Sequence, residues 1–225
     1  MKRILLAVLL VLGPAQIALA TSTEAVFVIS GGVTAGPIFS LSNIVNYSNL
    51  DLNGWNFAMI GNSQSPSASP FGLYEISFTA SCDLTKGCAT DDLKILLSDT
   101  NFTQPVSGFV ETFNVSFVGS GSTSQSAYWN SSNLLFDTTT PIGTLGPFSA
   151  FSSSTLTGGG PAGPGPYSLT MAQIVTHGSQ LVALNGQIQA VPRVPESGSV
   201  LLLGAGLAGL ALWEWRRVRV RRHEN

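Results

Sequence analysis

Two cysteines and four aspartates near the middle of the chain are the residues most able to do chemistry. Cys82 and Cys88 lie close together in the segment SCDLTKGC. The acids around them are Asp83, Asp91, Asp92 and Asp99. Clustered carboxylates can supply the oxygen ligands of a calcium ion, but the sequence contains no D-x-D-x-D-G loop. The pattern therefore favours solvated acids in a turn over a metal site.

No residue is predicted to be catalytic, and neither a cofactor nor a metal is predicted. His177 stands beside Gly178 at a turn signal, which favours an exposed polar side chain, and His223 lies near the end of the chain. Serines are so numerous that a serine near a histidine has no diagnostic value. No G-x-S-x-G elbow is present, and no spacing selects a pair of acids. The chain is expected not to be an enzyme.

One aromatic pair, Tyr128 and Trp129, could stack on sugar rings if it were exposed. The alternative is that Trp129 belongs to the core beside Leu134 and Phe136, as alternation along the segment SAYWNSSNLLF predicts. The sequence favours the core position.

The charge distribution excludes one class of partner. Only 10% of the 225 residues are charged, against about 25% in an average soluble domain. Between Thr21 and Arg193 three cations stand against nine acids, a net charge of −6. Nucleic-acid binding requires a basic face, so we expect no nucleic-acid partner.

Short β-rich runs separated by Gly, Asn, Ser and Pro fill residues 21–193 and predict an all-β domain. In GFVETFNVSFVG every second residue from Phe109 to Phe117 is large and apolar apart from Glu111. This alternation predicts a buried face with Glu111 at its entry. The segment DDLKILLSD fits either a helical turn or a buried strand. Gly178 and the pair Asn185-Gly186 are turn signals. The Gly/Pro-rich residues 158–166 and the Ser/Pro-rich residues 63–70 are predicted loops. Eight to ten strands predict a β-sandwich of jelly-roll or immunoglobulin-like kind.

The first twenty residues have the organisation of a secretory signal peptide. Two cations precede an apolar run that Gly13 and Pro14 interrupt, and an A-x-A pattern follows, with Ala18 and Ala20 before Thr21. The run is too short to span a bilayer. We expect cleavage after Ala20 by signal peptidase, following engagement of the secretion machinery. Export favours a disulfide between Cys82 and Cys88, and two free thiols are the alternative.

Near the other end, GAGLAG spells a dinucleotide-binding fingerprint, but only sixteen residues follow it, too few for a βαβ unit. Residues 197–215 instead fit a transmembrane helix of about 28 Å. Tryptophans at 213 and 215 are typical of the membrane–water interface, and Glu214 lies at the end of the predicted span. The cytoplasmic basic anchor that follows is Arg216, Arg217, Arg219, Arg221 and Arg222. These arginines place the body on the far side of the membrane, with lipid as a partner.

Val194, Pro195 and Glu196 come directly before this span. The order of triplet, apolar span and arginine cluster resembles the PEP-CTERM sorting signal of Gram-negative bacterial surface proteins. Ser197 stands where that family usually has a second proline. The resemblance covers residues 194–225: a recognition motif at 194–197, the helix at 197–215 and a basic cytoplasmic tail at 216–225. Without the resemblance, the triplet fits a stiff juxtamembrane linker.

The resemblance implies a delivery pathway rather than an activity. The tail holds the exported body at the inner membrane, and an exosortase, a membrane protease-transpeptidase, recognises Pro195 and Glu196 and removes the tail. The body then reaches the cell surface or the exterior, in bacteria that make exopolysaccharide. We therefore expect a non-enzymatic surface or matrix protein. The alternatives are a carbohydrate-binding surface module that contacts exopolysaccharide and, less favoured, a secreted hydrolase.

Overall fold

A computed structural model describes residues 23–41, 44–63, 73–160, 163, 165–192 and 205–208. The chain divides into two units, Met1–Pro192 and Arg193–Asn225. In the second unit only residues 205–208 are described, and they form one helical turn. The signal peptide, the sorting triplet and the arginine cluster lie outside the described residues and stay predictions.

The described part of the first unit consists of β-strands and one short 3-10 helix, Gly87–Ala89. The strands are β1 (Glu24–Ser30), β2 (Val33–Ser40), β3 (Ile44–Leu52), β4 (Trp55–Ser63), β5 (Leu73–Cys82), β6 (Leu93–Phe102), β7 (Val106–Gly119), β8 (Thr123–Asn130), β9 (Pro141–Phe148), β10 (Ser152–Gly158), β11 (Tyr167–Val175) and β12 (Ser179–Pro192).

Two six-stranded sheets pack into a sandwich. The first has the order β2-β1-β6-β11-β8-β9, and the second has the order β10-β7-β12-β5-β4-β3. Every strand pair within the described residues is antiparallel. The prediction of an all-β domain with two packed sheets is confirmed.

The pairing of the last eight strands is nested. β5 pairs with β12, β6 with β11, β7 with β10 and β8 with β9, as in one long hairpin rolled across both sheets. This is the order expected of a jelly roll rather than of an immunoglobulin-like sandwich. The hairpins β1–β2 and β3–β4 extend the two sheets beyond β6 and β5.

The core lies between the sheets and follows the alternation of the sequence. In β4 every second side chain is buried, from Trp55 through Phe57 and Met59. β7 likewise buries Phe109 and Phe113. Successive side chains of a strand point to opposite faces, so one face of each of these strands packs and the other meets solvent.

β6 and β11 depart from this alternation because the first sheet is covered on its outer side as well. The outward residues Ser98 and Thr170 are as buried as their inward neighbours. The segment 131–140 lies over them: the Phe136 backbone N–H donates to Ser98 Oγ at 3.0 Å, and the Phe136 ring packs on Phe27 at 6.1 Å between centroids. We call this the covered face.

Four local interpretations of the sequence are settled by these strands. The segment DDLKILLSD contributes to strand β6 rather than to a helical turn. Gly178 lies in the turn between β11 and β12, as predicted. Asn185 and Gly186 do not form a turn, because both lie in mid-strand in β12, paired with β5 and β7. Glu111 is fully buried in mid-strand instead of standing at the entry of the buried face.

Candidate ligand-binding face

Within the described residues no segment lies over the outer face of the second sheet, and we call it the open face. A groove of about 520 Å³ crosses strands β3, β4, β5, β12 and β7 on this face. Its polar lining side chains are Asn46, Ser77, Thr79, Asn114, Ser116 and Asn185. Its outward apolar lining comprises Ala58, Ile60, Ala183 and Phe151. Among the described residues that line the groove, none is charged.

Hydrogen bonds on the open face fix some amides and leave others available. Asn185 Nδ2 donates to Glu75 Oε1 at 2.9 Å, which holds the amide in one orientation. The Ser153 hydroxyl donates to Asn114 Oδ1 at 2.6 Å, so the Nδ2 group of Asn114 is directed away from that contact. Within the described part of the chain, neither this NH2 group nor the side chain of Asn46 has a protein partner.

Phe151 stands at one side of the groove, in the bend between β9 and β10. Its side chain is 81% exposed, the most exposed large apolar residue of the described chain. An aromatic ring in that position costs hydrophobic free energy in an isolated molecule. Aromatic rings beside hydrogen-bonding groups are typical of surfaces that bind a partially apolar ligand.

Cys82 and Cys88 form a disulfide bond with an S–S distance of 2.09 Å. It closes the loop that follows β5, and further contacts hold this loop in place. Lys86 Nζ lies 2.7 Å from Asp51 Oδ2, in an exposed ion pair. The hydrogen bond from Lys86 is the main reason that the pKa of Asp51 is lowered. The loop is thus a structural staple at one end of the sandwich.

The four aspartates around the cysteines do not converge. Asp83 accepts a hydrogen bond from Thr85, Asp91 accepts one from Asn53 at 2.9 Å, and Asp92 pairs with His177. The fourth, Asp99, is fully buried between the sheets. Within the described residues no group of three or more His, Cys, Asp or Glu side chains has the arrangement of a metal site.

His177 is exposed, as its position beside Gly178 predicts. Its Nδ1 atom lies 2.8 Å from Asp92 Oδ1, and its backbone N–H donates to the same oxygen at 2.8 Å. These contacts join the β11–β12 turn to the start of β6. Among the described residues, no hydroxyl or thiol is hydrogen-bonded to Nε2 of His177, so the pair does not extend to a nucleophile in this structure.

Trp129 is half-buried and packs against the core, with its ring 6.4 Å from that of Phe109. It also lines a second cavity of about 380 Å³ with Tyr167 and Asn133. Tyr128 points to the outer side of the first sheet. The two aromatics therefore face opposite sides of the sheet and do not form one stacking platform.

Sequence reasoning missed two buried polar clusters in the sandwich interior. In one, Gln125 Nε2 donates to Glu111 Oε1 at 3.0 Å, and Gln173 Nε2 donates to Gln125 Oε1 at 3.0 Å. Burial raises the pKa of Glu111 to about 7. The other cluster contains Glu24 and Asp99. The detectable signal in the sequence was a lone acid on the apolar side of an alternating strand.

The sorting triplet, the arginine cluster and the signal-peptide residues lie outside the described residues. Among the residues that are described, no helix has both the length and the apolar character needed to cross a bilayer.

No family model matches the chain, and no curated protein matches it. Solved structures give weak similarities. TmCBM61 in complex with β-1,4-galactotriose is 8% identical with a TM-score of 0.32, covering 64% of this chain and 97% of its own. The family 11 carbohydrate-binding module from Clostridium thermocellum, in complex with a mixed-linked tetrasaccharide, is 10% identical with a TM-score of 0.30, covering 76% and 96%.

A third similar structure is the K3 cleaved adhesin domain of Lys-gingipain from Porphyromonas gingivalis W83. It is 13% identical with a TM-score of 0.31, covering 52% of this chain and 74% of its own. Identities and TM-scores this low do not indicate a ligand or an activity. Any argument about function therefore rests on the surface of this chain itself.

Proposed function

We propose that this chain is an exported, non-enzymatic surface or matrix protein whose open face binds a neutral polysaccharide. The observation that carries the proposal is the lining of the groove. Amide and hydroxyl groups surround an apolar floor, and one exposed aromatic ring stands at the side.

Sugars present the same mixture of groups. Their hydroxyls donate and accept hydrogen bonds, and their ring faces carry C–H groups that pack on apolar and aromatic surfaces. Asparagine side chains suit them because each amide both donates and accepts. The available Nδ2 of Asn114 and the free side chain of Asn46 meet the first need, and Phe151 with Ile60 meets the second.

The absence of charge on the described lining favours a neutral glycan. A polyanion needs cationic side chains, and its binding weakens steeply with salt. The lysines of the described residues are Lys86 and Lys94, and neither lines the groove. Binding of the protein to a neutral glycan should therefore hardly change between low and high salt.

Affinity electrophoresis tests the proposal. The full-length chain in mild detergent would migrate through gels that contain exopolysaccharide purified from the producing cells. We expect retardation, and we expect Phe151→Ala to weaken it about three- to tenfold, the size of a lost aromatic contact. Phe39→Ala is the matched control, because Phe39 is also exposed (58%) but lies on β2 of the first sheet. No retardation of the wild type, or equal losses in both variants, would contradict the proposal.

The same proposal includes delivery by the tail. Its support is the sequence: an A-x-A site at Ala18 and Ala20, and Pro195-Glu196 ahead of an apolar span that ends in arginines. In this scheme signal peptidase removes residues 1–20, residues 197–215 hold the body at the inner membrane, and an exosortase releases it to the surface.

Mass spectrometry of the protein recovered from its native cell surface tests delivery. We expect an N-terminus at Thr21 and a C-terminus near residue 196. Alanine at both Pro195 and Glu196 should leave the tail attached, and alanine at Val191 serves as a control upstream of the triplet. Recovery of the intact tail from the surface of wild-type cells would refute the scheme without affecting the glycan test.

A further inference from the structure

Glu24 and Asp99 face one another inside the sandwich. They are direct cross-strand partners between β1 and β6, and both are fully buried. Directly opposed residues on adjacent strands have their Cβ atoms about 4.5–5.5 Å apart, and two like charges in that relation repel each other. An apolar interior between two sheets is an unfavourable place for such a pair unless something compensates its charge.

The second sheet contributes two hydroxyl groups and a space to the same place. Ser63 on β4 and Tyr74 on β5 are cross-strand partners, and the Ser63 hydroxyl is hydrogen-bonded to Asp99. Tyr74 is fully buried, and both carboxylates act on its hydroxyl electrostatically. A Cβ atom at Gly61 would stand 2.6 Å from Glu24 Oε1, so the carboxylate occupies room that only glycine leaves.

Four oxygen atoms of this cluster have no hydrogen-bond partner among the described residues: Glu24 Oε1, Glu24 Oε2, Asp99 Oδ2 and the Tyr74 hydroxyl. The other oxygen of Asp99 accepts the Thr100 backbone N–H at 2.7 Å. The Val45 N–H approaches Glu24 without meeting hydrogen-bond geometry. Buried polar atoms are nearly always satisfied, so four in one cluster indicate a missing positive partner. Neither ion pair found in the described chain lies here.

We propose that Glu24, Asp99, Tyr74 and Ser63 form an internal binding site for Ca²⁺. The ligand set is all oxygen, and Ca²⁺ accepts six to eight oxygens, with carboxylates binding through one oxygen or two. Two carboxylates supply the charge that balances the ion, and the two hydroxyls add neutral oxygens. Zn²⁺ prefers nitrogen and sulfur ligands, and Mg²⁺ retains several waters, which suits a fully buried cluster poorly.

A shared proton is the competing explanation. Burial, and next the nearby Asp99, raise the pKa of Glu24 to about 8, and burial raises that of Asp99 to about 6. Without a cation the pair would therefore keep one proton at neutral pH, as coupled carboxylates do. A bound proton would neutralise one of the two carboxylates, and the pair would then not need Ca²⁺. The two explanations predict different responses to the ion.

The experiment uses the full-length chain in detergent, stripped with EDTA and titrated with Ca²⁺ or with Tb³⁺ as a luminescent substitute. We expect one ion per chain, a thermal midpoint that rises by several degrees, and Tb³⁺ emission sensitised by tyrosine. Glu24→Gln and Asp99→Asn should each weaken binding at least a hundredfold, and Tyr74→Phe should reduce the sensitised emission. Glu111→Gln is the matched control, an equally buried acid in the separate cluster with Gln125.

Each result bears on the proposal. A wild type that binds no Ca²⁺ and shows no thermal shift overturns it, and variants that are as stable as the wild type would then indicate the shared proton. Binding that survives in Glu24→Gln and Asp99→Asn also overturns it, because the ion would lie elsewhere. If both variants fail to fold, the ion titration of the wild type still decides. The test is independent of polysaccharide binding.

Discussion

The covered face and the open face are the outer surfaces of two sheets in one sandwich, yet they follow different rules. On the covered face, outward residues such as Ser98 and Thr170 are buried beneath the segment 131–140. On the open face, outward residues such as Thr79 and Asn114 meet solvent. Both faces carry small polar residues, so residue type alone does not tell them apart. Burial decides whether a hydroxyl is part of the fold or available to a ligand.

The largest contrast should come from one substitution made on each face. Thr170→Lys places a cation beneath the 131–140 segment, where Thr170 is 1% exposed, and an unpaired buried charge costs about 3–5 kcal/mol. Thr79→Lys puts the same cation in solvent, where surface changes stay within about 0.5 kcal/mol. Urea unfolding of the two variants measures the difference. Equal stabilities would mean that segment 131–140 does not cover the first sheet in solution.

Removing the cover itself should have the next largest effect. Phe136→Ala deletes the ring that packs on Phe27, and we expect a loss of about 2 kcal/mol, below the value for a fully buried phenylalanine. Leu134→Ala is the control in the same segment, since Leu134 is 55% exposed and should lose less than about 1 kcal/mol. Thermal unfolding would report both. A larger loss in the Leu134 variant would reverse the assignment of the covering residue.

Glu111 sharpens the comparison because it belongs to the open sheet but points inward. Its folded pKa of about 7 lies above its ordinary value of 4.5, so the folded state binds the proton more tightly. Its contribution to stability is therefore complete below pH 4.5 and is lost as the pH rises through about 7. The Glu111→Gln variant has no carboxyl group there and should not show this loss. Its free energy of unfolding relative to that of the wild type should therefore rise by about 1–2 kcal/mol between pH 5 and pH 8. Parallel stability curves for the two proteins would show that Glu111 does not titrate in this range.

The smallest expected effect compares two serines. Ser98 Oγ contacts the Leu169 carbonyl, Thr170 and the Phe136 N–H, so Ser98→Ala should cost about 1–2 kcal/mol through unpaired buried groups. Ser116→Ala on the open face should change stability by less than about 0.5 kcal/mol. Chemical unfolding of both variants at neutral pH gives the values. If Ser98→Ala left the stability unchanged, solvent would have access to the covered face.

Alternation in the sequence predicted the fold class, because strands such as β4 and β7 bury one face only. It could not separate a helical turn from a strand in DDLKILLSD, because β6 is buried on its inner side by the core between the sheets and on its outer side by segment 131–140, which is distant in sequence. The Asn-Gly rule failed at Asn185 for a similar reason, since pairing with both β5 and β7 overrides the local turn preference.

The candidate site was less predictable than the fold. The groove on the open face is lined by one to three residues from each of five strands, and no periodicity reveals the order of those strands. Asp99 was grouped with its neighbours in sequence, whereas strand pairing brings it to Glu24, 75 positions away in the numbering. The cysteine pair was accessible to sequence reasoning because both partners lie in one short loop.

Gly186 shows how the interior constrains the strand that lies above it. A methyl group there would collide with the side-chain amides of Gln125 and Gln173, which connect to Glu111. Because glycine has no side chain, the space beside it in mid-strand is filled by the side-chain amides of Gln125 and Gln173. An alanine at this position would force these amides to rearrange, and the protonation of Glu111 on the adjacent strand β7 would respond to the change of a single hydrogen to a methyl.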